Sequence, residues 1–379
     1  IRRNAPVKNS DICWNKPPTG RAGYGRYQEK GTTRATPSGR LGKRGSPFDH
    51  KDMMTNTALT LYALFALFGA IGGVGVLILM LRRWTVLDQP NKRSSHTIPT
   101  PRGGGGAVVI VITVLWGWRA YETGDIWLGV VLAAAAGLAA VSWIDDLRSL
   151  PPLTRLAAQC LAVAAGIASL QGDGLFFQGV LPSWLDALIA AVGWVWFVNL
   201  FNFMDGIDGI SGVETACVGA GAALIAFLAP NLDLPAPVYG VTIAAAALGF
   251  LIWNWNPAKV FLGDVGSVPL GFMLGWVLLD MAAAGLWASA LILPLYYLAD
   301  ATITLGKRAL RGEKILHAHR EHFYQRAVQS GKSHAQVSLT ILVGNLVLMA
   351  LAVAALTWPW LALGAATLTV AALLWRLHC

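Results

Sequence analysis

The amino-acid sequence reads as an all-α polytopic membrane protein with about eleven transmembrane helices, its N-terminus outside and its C-terminus cytoplasmic. Three observations predict this. Composition is 55% hydrophobic and only 13% charged over 379 residues, with a mean hydropathy of +0.54, whereas an average soluble chain carries ~25% charged residues. Apolar stretches recur near the ~20 residues that a helix needs to cross a bilayer. Lys and Arg fall almost wholly on one side of those stretches.

The stretches run roughly over 57–81, 103–118, 127–144, 153–170, 184–203, 210–229, 236–253, 267–283, 286–305, 336–357 and 359–375. Their flanks support them in order. Arg82 and Arg83 close the first, and Arg119 follows the second. Asp145 and Asp146 end the third, and Arg155 stands just inside the fourth. Asp205 and Asp208 follow the fifth, and Asp264 lies in the loop after the seventh. Lys307, Arg308 and Arg311 follow the ninth, and Arg376 marks the end of the last. If the first span ends inside, 16 of the 17 basic residues after position 52 are cytoplasmic and Arg119 alone is outside. That asymmetry sets the orientation.

Residues 1–52 break the pattern. They hold 12 Lys/Arg against 4 Asp/Glu, which is +8 of the formal +9. Their Gly, Pro and Arg content is that of disordered chain, and a basic head is out of place before a span that starts outside. We read 1–52 as a basic, disordered or non-native N-terminal extension and 53–379 as a single integral-membrane domain. The pI of 9.6 is therefore no sign of nucleic-acid binding. Cys13, Cys160, Cys217 and Cys379 show no paired spacing and indicate neither a disulfide framework nor a thiolate metal site.

The most informative segment is 199–212, Asn-Leu-Phe-Asn-Phe-Met-Asp-Gly-Ile-Asp-Gly-Ile-Ser-Gly. Asn199, Asn202, Asp205 and Asp208 recur every three residues, so on a helix or tight helical turn they gather on one side. With Asp145, Asp146 and Asp264 of Gly263-Asp264-Val265-Gly266-Ser267, five carboxylates reach the cytoplasmic face. Such a set repels itself unless a cation is shared, and hard oxygen ligands with room for water and phosphate suit Mg²⁺ or Mn²⁺. Asp145 and Asp146 diverge by ~100° on a regular helix and have different jobs. The lone acids Asp186, Asp280 and Asp300 are read as solvated or hydrogen-bonded structural groups.

Two basic segments complete the set. Asp88-Gln89-Pro90-Asn91-Lys92-Arg93-Ser94-Ser95-His96, continuing through Arg102 to Gly103–Gly106, is a phosphate-sized loop where exposed amides could add anion contacts. The segment from His317 to Arg326 holds three of the seven histidines. His319 and His322 are expected on one helical face, with Arg320 and Arg326 able to clamp phosphate oxygens. A zinc site is the rival, without Cys or a His-Glu-x-x-His run to support it.

Taken in order, Asp-x-Pro-Asn-x-Arg-x-x-His, Asp145-Asp146, Asn-x-x-Asn-x-x-Asp-Gly-x-Asp-Gly, Gly-Asp-x-Gly-Ser and the His-rich loop resemble the polyprenyl-phosphate N-acetylhexosamine-1-phosphate transferase superfamily (glycosyltransferase family 4). The likeness covers residues ~57 to 379. The His-Arg-x-His-x-Tyr-Gln-Arg form at 319–326 resembles the O-antigen and surface-polysaccharide initiating branch more than the peptidoglycan branch.

The resemblance implies transfer of HexNAc-1-phosphate from a UDP-N-acetylhexosamine to polyprenyl phosphate in the bilayer, with release of UMP, at the cytoplasmic face of the bacterial inner membrane. It implies Mg²⁺ or Mn²⁺ on Asp264 and Asp205, catalytic roles for Asp145, Asp146, Asp205 and Asp208, and Asp145 handling the acceptor proton. It places Asn91, Arg93, His96, Arg102, Asn199, Asn202, His319, Arg320, His322 and Arg326 on substrate. No nucleic-acid partner is implied, and a homodimer is compatible. The alternative is a cation-coupled secondary transporter, whose acids would lie nearer the bilayer midplane.

Overall fold

The computed structural model describes residues 56–84, 87–88, 99–170, 174–230, 232, 237–313 and 319–378. The basic extension and the candidate ligands Asn91, Arg93 and His96 lie outside the described residues. Helices dominate: α1 (Asn56–Arg83), α2 (Gly105–Thr123), α3 (Ile126–Arg148), α4 (Pro152–Ser169), α5 (Ser183–Phe203), α6 (Ile210–Leu228), α7 (Pro237–Asn254), α8 (Asp264–Met281), α9 (Trp287–Ile292), α10 (Leu295–Leu310), α11 (Phe323–Gln329), α12 (His334–Ala354) and α13 (Pro359–His378). Among the described residues β1 (Leu87–Asp88) and β2 (Thr100–Pro101) form a short antiparallel ribbon, in which Leu87 faces Pro101.

An all-α polytopic membrane protein is what apolar sequence must give here, because in lipid each backbone amide has to be satisfied within its own segment. Among the described residues nine helices are long and apolar enough to cross a membrane. Two of the eleven expected stretches differ. The second is helical as α2, but Arg119 and Glu122 lower its apolarity; Arg119 lies 3.7 Å from Glu122, whose carboxylate also receives the Tyr62 hydroxyl at 3.2 Å. The expected span over 286–305 is not one helix. Residues 282–286 form a π-helical turn broken at Gly285 (φ +96), and the chain breaks again at Leu293 and Pro294 between α9 and α10. Pro294 has no amide hydrogen to continue a ladder.

The core sits around α8, which is buried along almost all its length, and α6 beside it. Small residues let these helices approach. At the α6–α7 crossing a Cβ on Gly240 would stand 2.5 Å from the Gly219 carbonyl oxygen. Local signals set the helix ends: Asp125 accepts from the Leu128 amide at the start of α3, and Ser333 and Gln336 form a reciprocal capping box at α12.

Candidate active site

The site is built where the start of α2 lies against the start of α8. The Phe261 amide donates to the Pro101 carbonyl at 2.8 Å, the Gly103 and Gly104 amides donate to Phe261 O at 3.1 and 2.9 Å, and Gly105 N donates to Leu262 O at 2.9 Å. Glycine is required at the crossing, since a Cβ on Gly105 would lie 2.4 Å from the Gly266 Cα. Gly263 takes φ +73, the left-handed region that favours glycine. These amides are spent on the chain itself, which corrects the expectation that Gly103–Gly105 offers free amides to an anion.

The clasp delivers Arg102. Its Nη2 lies 2.7 Å from Asp264 Oδ1 and 3.1 Å from Asp146 Oδ1, so one guanidinium bridges two of the expected acids. Asp264 is the first residue of α8, where the helix dipole favours negative charge. Asp146 Oδ2 accepts from the Val265 amide at 3.3 Å. Its Oδ1 is buried and receives no well-aligned hydrogen bond.

The three-residue repeat does not form one helical face. α5 stops at Phe203 and α6 starts at Ile210, with Gly209 at φ +83 in the turn between them. The four side chains therefore divide. Asn199 donates to Gln159 Oε1 at 2.7 Å and to Val195 O at 2.8 Å, tying α5 to α4. Asn202 donates to Ser267 Oγ at 2.8 Å, tying α5 to the first turn of α8 beside Asp264. Asp205, half-buried in the turn, is pushed up to about 7 by burial, against a hydrogen bond from Ser211 and with Asp264 and Asp146 adding negative field.

Asp208 is buried and accepts from Asn256 Nδ2 at 2.8 Å and the Ala258 amide at 3.1 Å, with His334 Nδ1 3.3 Å away. Burial would raise this carboxyl, yet the bonds from His334, Asn256 and Ala258 hold it below its ordinary value. Asp145 and Asp146 diverge as expected. Asp145 accepts from the Leu150 amide at 2.6 Å and meets Arg155 at 3.1 Å, which fastens the α3–α4 turn.

The His-rich segment packs on the same end. α11 begins at Phe323, so His319 and His322 precede the helix and do not share a face of it; their rings still lie 4.8 Å apart. His322 is buried against Asp300, with Nδ1 3.3 Å from Oδ1. Asp300 also accepts from the Phe323 and Tyr324 amides at 3.0 and 3.3 Å and from the Tyr296 hydroxyl at 3.1 Å, which is the structural role read for it. Burial, then His322 and Arg308, push His319 down to about 4. Glu321 gathers Arg308, Arg311 and Arg326, the last at 3.5 Å. The carbonyl of Arg320 accepts from Gln329 at 2.7 Å.

Several contributors were not singled out by sequence reasoning: Gln159, Asn254, Asn256, Ser267, Glu321, Tyr324, His334 and Ser338. Tyr324 and Glu321 sit inside the flagged His-rich run, and Ser267 inside Gly-Asp-x-Gly-Ser, so those signals were present. The rest come from elsewhere in the chain: Gln159 from α4, Asn254 from the end of α7, where its Oδ1 accepts from the Gly209 amide at 2.9 Å, Asn256 from the loop that follows, and His334 and Ser338 from α12.

Among the described residues no three His, Cys, Asp or Glu side chains converge closely enough to chelate an ion as they stand. The donor chemistry nevertheless fits a hard divalent cation. Asp146, Asp205 and Asp264 share one electrostatic field, a single guanidinium offsets them, and Asp146 keeps a buried oxygen with spare acceptor capacity.

Fold and site together define a multi-pass membrane protein with an acidic, arginine-bridged centre at one end of its helices. Residues 127–282 match the model of glycosyl transferase family 4. The chain is 30% identical to a decaprenyl-phosphate N-acetylglucosaminephosphotransferase of Mycolicibacterium smegmatis over 68% of its own length and 72% of that protein. It is likewise 30% identical to the Mycobacterium leprae protein of the same description, over 70% and 76% of the two chains. A phospho-N-acetylmuramoyl-pentapeptide-transferase of Latilactobacillus sakei is 30% identical over 49% of this chain and 63% of that one. The chain belongs to this family, the polyprenyl-phosphate N-acetylhexosamine-1-phosphate transferase superfamily, and is a membrane phosphotransferase.

Proposed function

We propose that the protein transfers HexNAc-1-phosphate from a UDP-N-acetylhexosamine to undecaprenyl or a related polyprenyl phosphate, on the cytoplasmic face of the bacterial inner membrane, releasing UMP. The product would initiate O-antigen or a related cell-envelope polysaccharide. The observation that carries this reading is the Arg102 bridge between Asp146 and Asp264, with Asp205 in the same field. A lipid phosphate oxygen forms a bond to the β-phosphorus of the donor, and the bond from that phosphorus to the bridging oxygen breaks, so UMP leaves with the electron pair.

Both reactants are polyanions, and catalysis rests on positioning them and neutralising charge on the transferring oxygens. Asp264, Asp205 and Asp146 would hold Mg²⁺ or Mn²⁺, which supplies Lewis-acid neutralisation of phosphate oxygens when bound. Arg102 stands beside them as the resident cation. Arg320, Arg326 and the imidazoles of His319 and His322 bind diphosphate and sugar, and Glu321 holds Arg326 ready. Asn199 and Asn202 set the height of α5 against α4 and α8. Asp208 braces the turn that carries Asp205. Asp145, fastened to Arg155, positions the α3–α4 turn; a lipid phosphate near neutral pH is already ionised and needs little base.

This activity is assigned to residues 53–379, and a protein lacking 1–52 is expected to retain it. Purified protein given polyprenyl phosphate and a panel of UDP-GlcNAc, UDP-FucNAc and UDP-QuiNAc tests the reading, with UMP release and the lipid product followed by mass spectrometry. Cation-driven substrate uptake into vesicles without UMP release would instead support the transporter.

A further inference from the structure

α6 carries a carboxyl group that the transfer chemistry leaves unused. Glu214 is wholly buried just over one turn inside the helix, and Asn345 of α12 is buried opposite it. Asn345 Nδ2 donates to Glu214 Oε2 at 2.7 Å. The two remaining polar atoms of the pair, Glu214 Oε1 and Asn345 Oδ1, are both buried without a hydrogen-bond partner.

An ionised carboxylate would leave two acceptors bare in the helix interior, where no water repays the loss. Among the described residues, Cys217 on α6 and Tyr296 and Tyr297 on α10 lie within electrostatic reach of Glu214; each of them gains negative charge when it ionises, and none of the three compensates a carboxylate. One proton on Oε1 alters the count. The carboxylic O–H then donates to Asn345 Oδ1 while the amide N–H donates to Oε2, and the two orphaned atoms satisfy each other.

We propose that Glu214 and Asn345 form a neutral, reciprocal acid–amide pair that fixes the register of α6 against α12 and thereby positions the Asp205–Asp208 turn. Each helix grips one of those acids. Ser211, one turn before Glu214, stands close enough to Asp205 to lower its carboxyl, lies 3.3 Å from the Tyr297 hydroxyl, and has its carbonyl tied to Thr215 at 2.6 Å. On α12, Ser338 Oγ donates to the Asp208 carbonyl at 2.8 Å and His334 faces the Asp208 carboxylate. Sliding α6 along α12 would pull Asp205 and Asp208 apart. Glu214 and Asn345 are positioning residues, and their role in turnover rests on the transferase reading.

Three variants and one spectrum test the pair. Glu214→Gln replaces the O–H donor with an N–H donor and is expected to keep kcat within about twofold and the pH profile unchanged, whereas Glu214→Leu and Asn345→Leu are expected to lower kcat at least ~10-fold with little change in KM. Infrared spectra of the purified wild-type protein are expected to show a carboxylic-acid C=O band that persists across the neutral pH range and disappears in Glu214→Gln. A carboxylate in place of that band would overturn the protonated pair, as would a Gln variant as impaired as the Leu variants. Leu variants with wild-type turnover would overturn the positioning role. The spectrum needs no activity, so a wild-type protein inactive on every UDP-sugar defeats the transferase reading and leaves the pair independently tested.

Discussion

The Tyr324 hydroxyl donates to the main-chain carbonyl of Phe203 at 3.1 Å. This bond joins the His-rich segment to the last residue of α5, two residues before Asp205. It also explains a glycine: a Cβ on Gly206 would stand 2.2 Å from the Tyr324 oxygen. The His-rich segment and the turn that carries Asp205, far apart in sequence, are therefore joined by a contact between a tyrosine and a main-chain carbonyl.

Asp264→Asn and Arg326→Lys should separate charge stabilisation from binding. The first keeps size while removing the charge a hard cation needs, and kcat is expected to fall at least ~100-fold with membrane insertion unchanged. The second keeps charge but loses the planar fork, and is expected mainly to raise KM for the UDP-sugar. Steady-state kinetics on both variants checks the split; the reverse pattern would exchange their roles.

Asp208→Asn should behave differently from Asp264→Asn. Because Asp208 is buried among Asn256, Ala258 and His334, loss of its charge is expected to cost about 1–3 kcal/mol of stability as well as activity. Its carboxyl is held below the ordinary value, so this contribution is present above the unfolded carboxylate range and is lost as pH falls through the folded value. Thermal unfolding in detergent at several pH values measures it.

His319 is neutral at neutral pH, since burial and its cationic neighbours push it down to about 4. In the proposed reaction it would meet substrate as a hydrogen-bonding imidazole without charge. His319→Gln is expected to raise KM and leave the neutral-range pH profile of kcat in place. The folded protein binds fewer protons here than the unfolded chain, so stability at this site is full above the ordinary histidine value and declines as pH drops toward about 4.

Chelation tests the acidic centre as a whole. EDTA is expected to abolish turnover and Mg²⁺ or Mn²⁺ to restore it, because the acids that Arg102 bridges, Asp146 and Asp264, offer hard oxygen ligands. Full activity in chelator would remove the cation from the reading, and recovery with zinc alone would transfer its binding to the histidines.

Much of the fold was legible because hydrocarbon permits few structures: apolar length gave the helices. The break at Gly285 and Pro294 was not, since composition across 282–310 stays apolar enough to resemble an uninterrupted span. Asp146, Asp264 and Asp205, singled out in the sequence as acids at one end of their spans and within recognisable motifs, are brought close to one another around Arg102. The asparagine spacing was misleading for a physical reason: α5 ends inside the motif, so Asn199 and Asn202 point to Gln159 and Ser267 on other helices, and partners such as His334 leave no trace in the local pattern.

The clasp between residues 101–105 and 261–262 has a practical meaning for exchange of parts between relatives. Arg102 is held from its C-terminal side by amides bonded to Phe261 and Leu262, and its guanidinium is anchored on Asp146 and Asp264. Segments exchanged between family members therefore need to carry residues 101–105 and 261–266 together, because replacing one half alone would take the arginine out of register with the two acids.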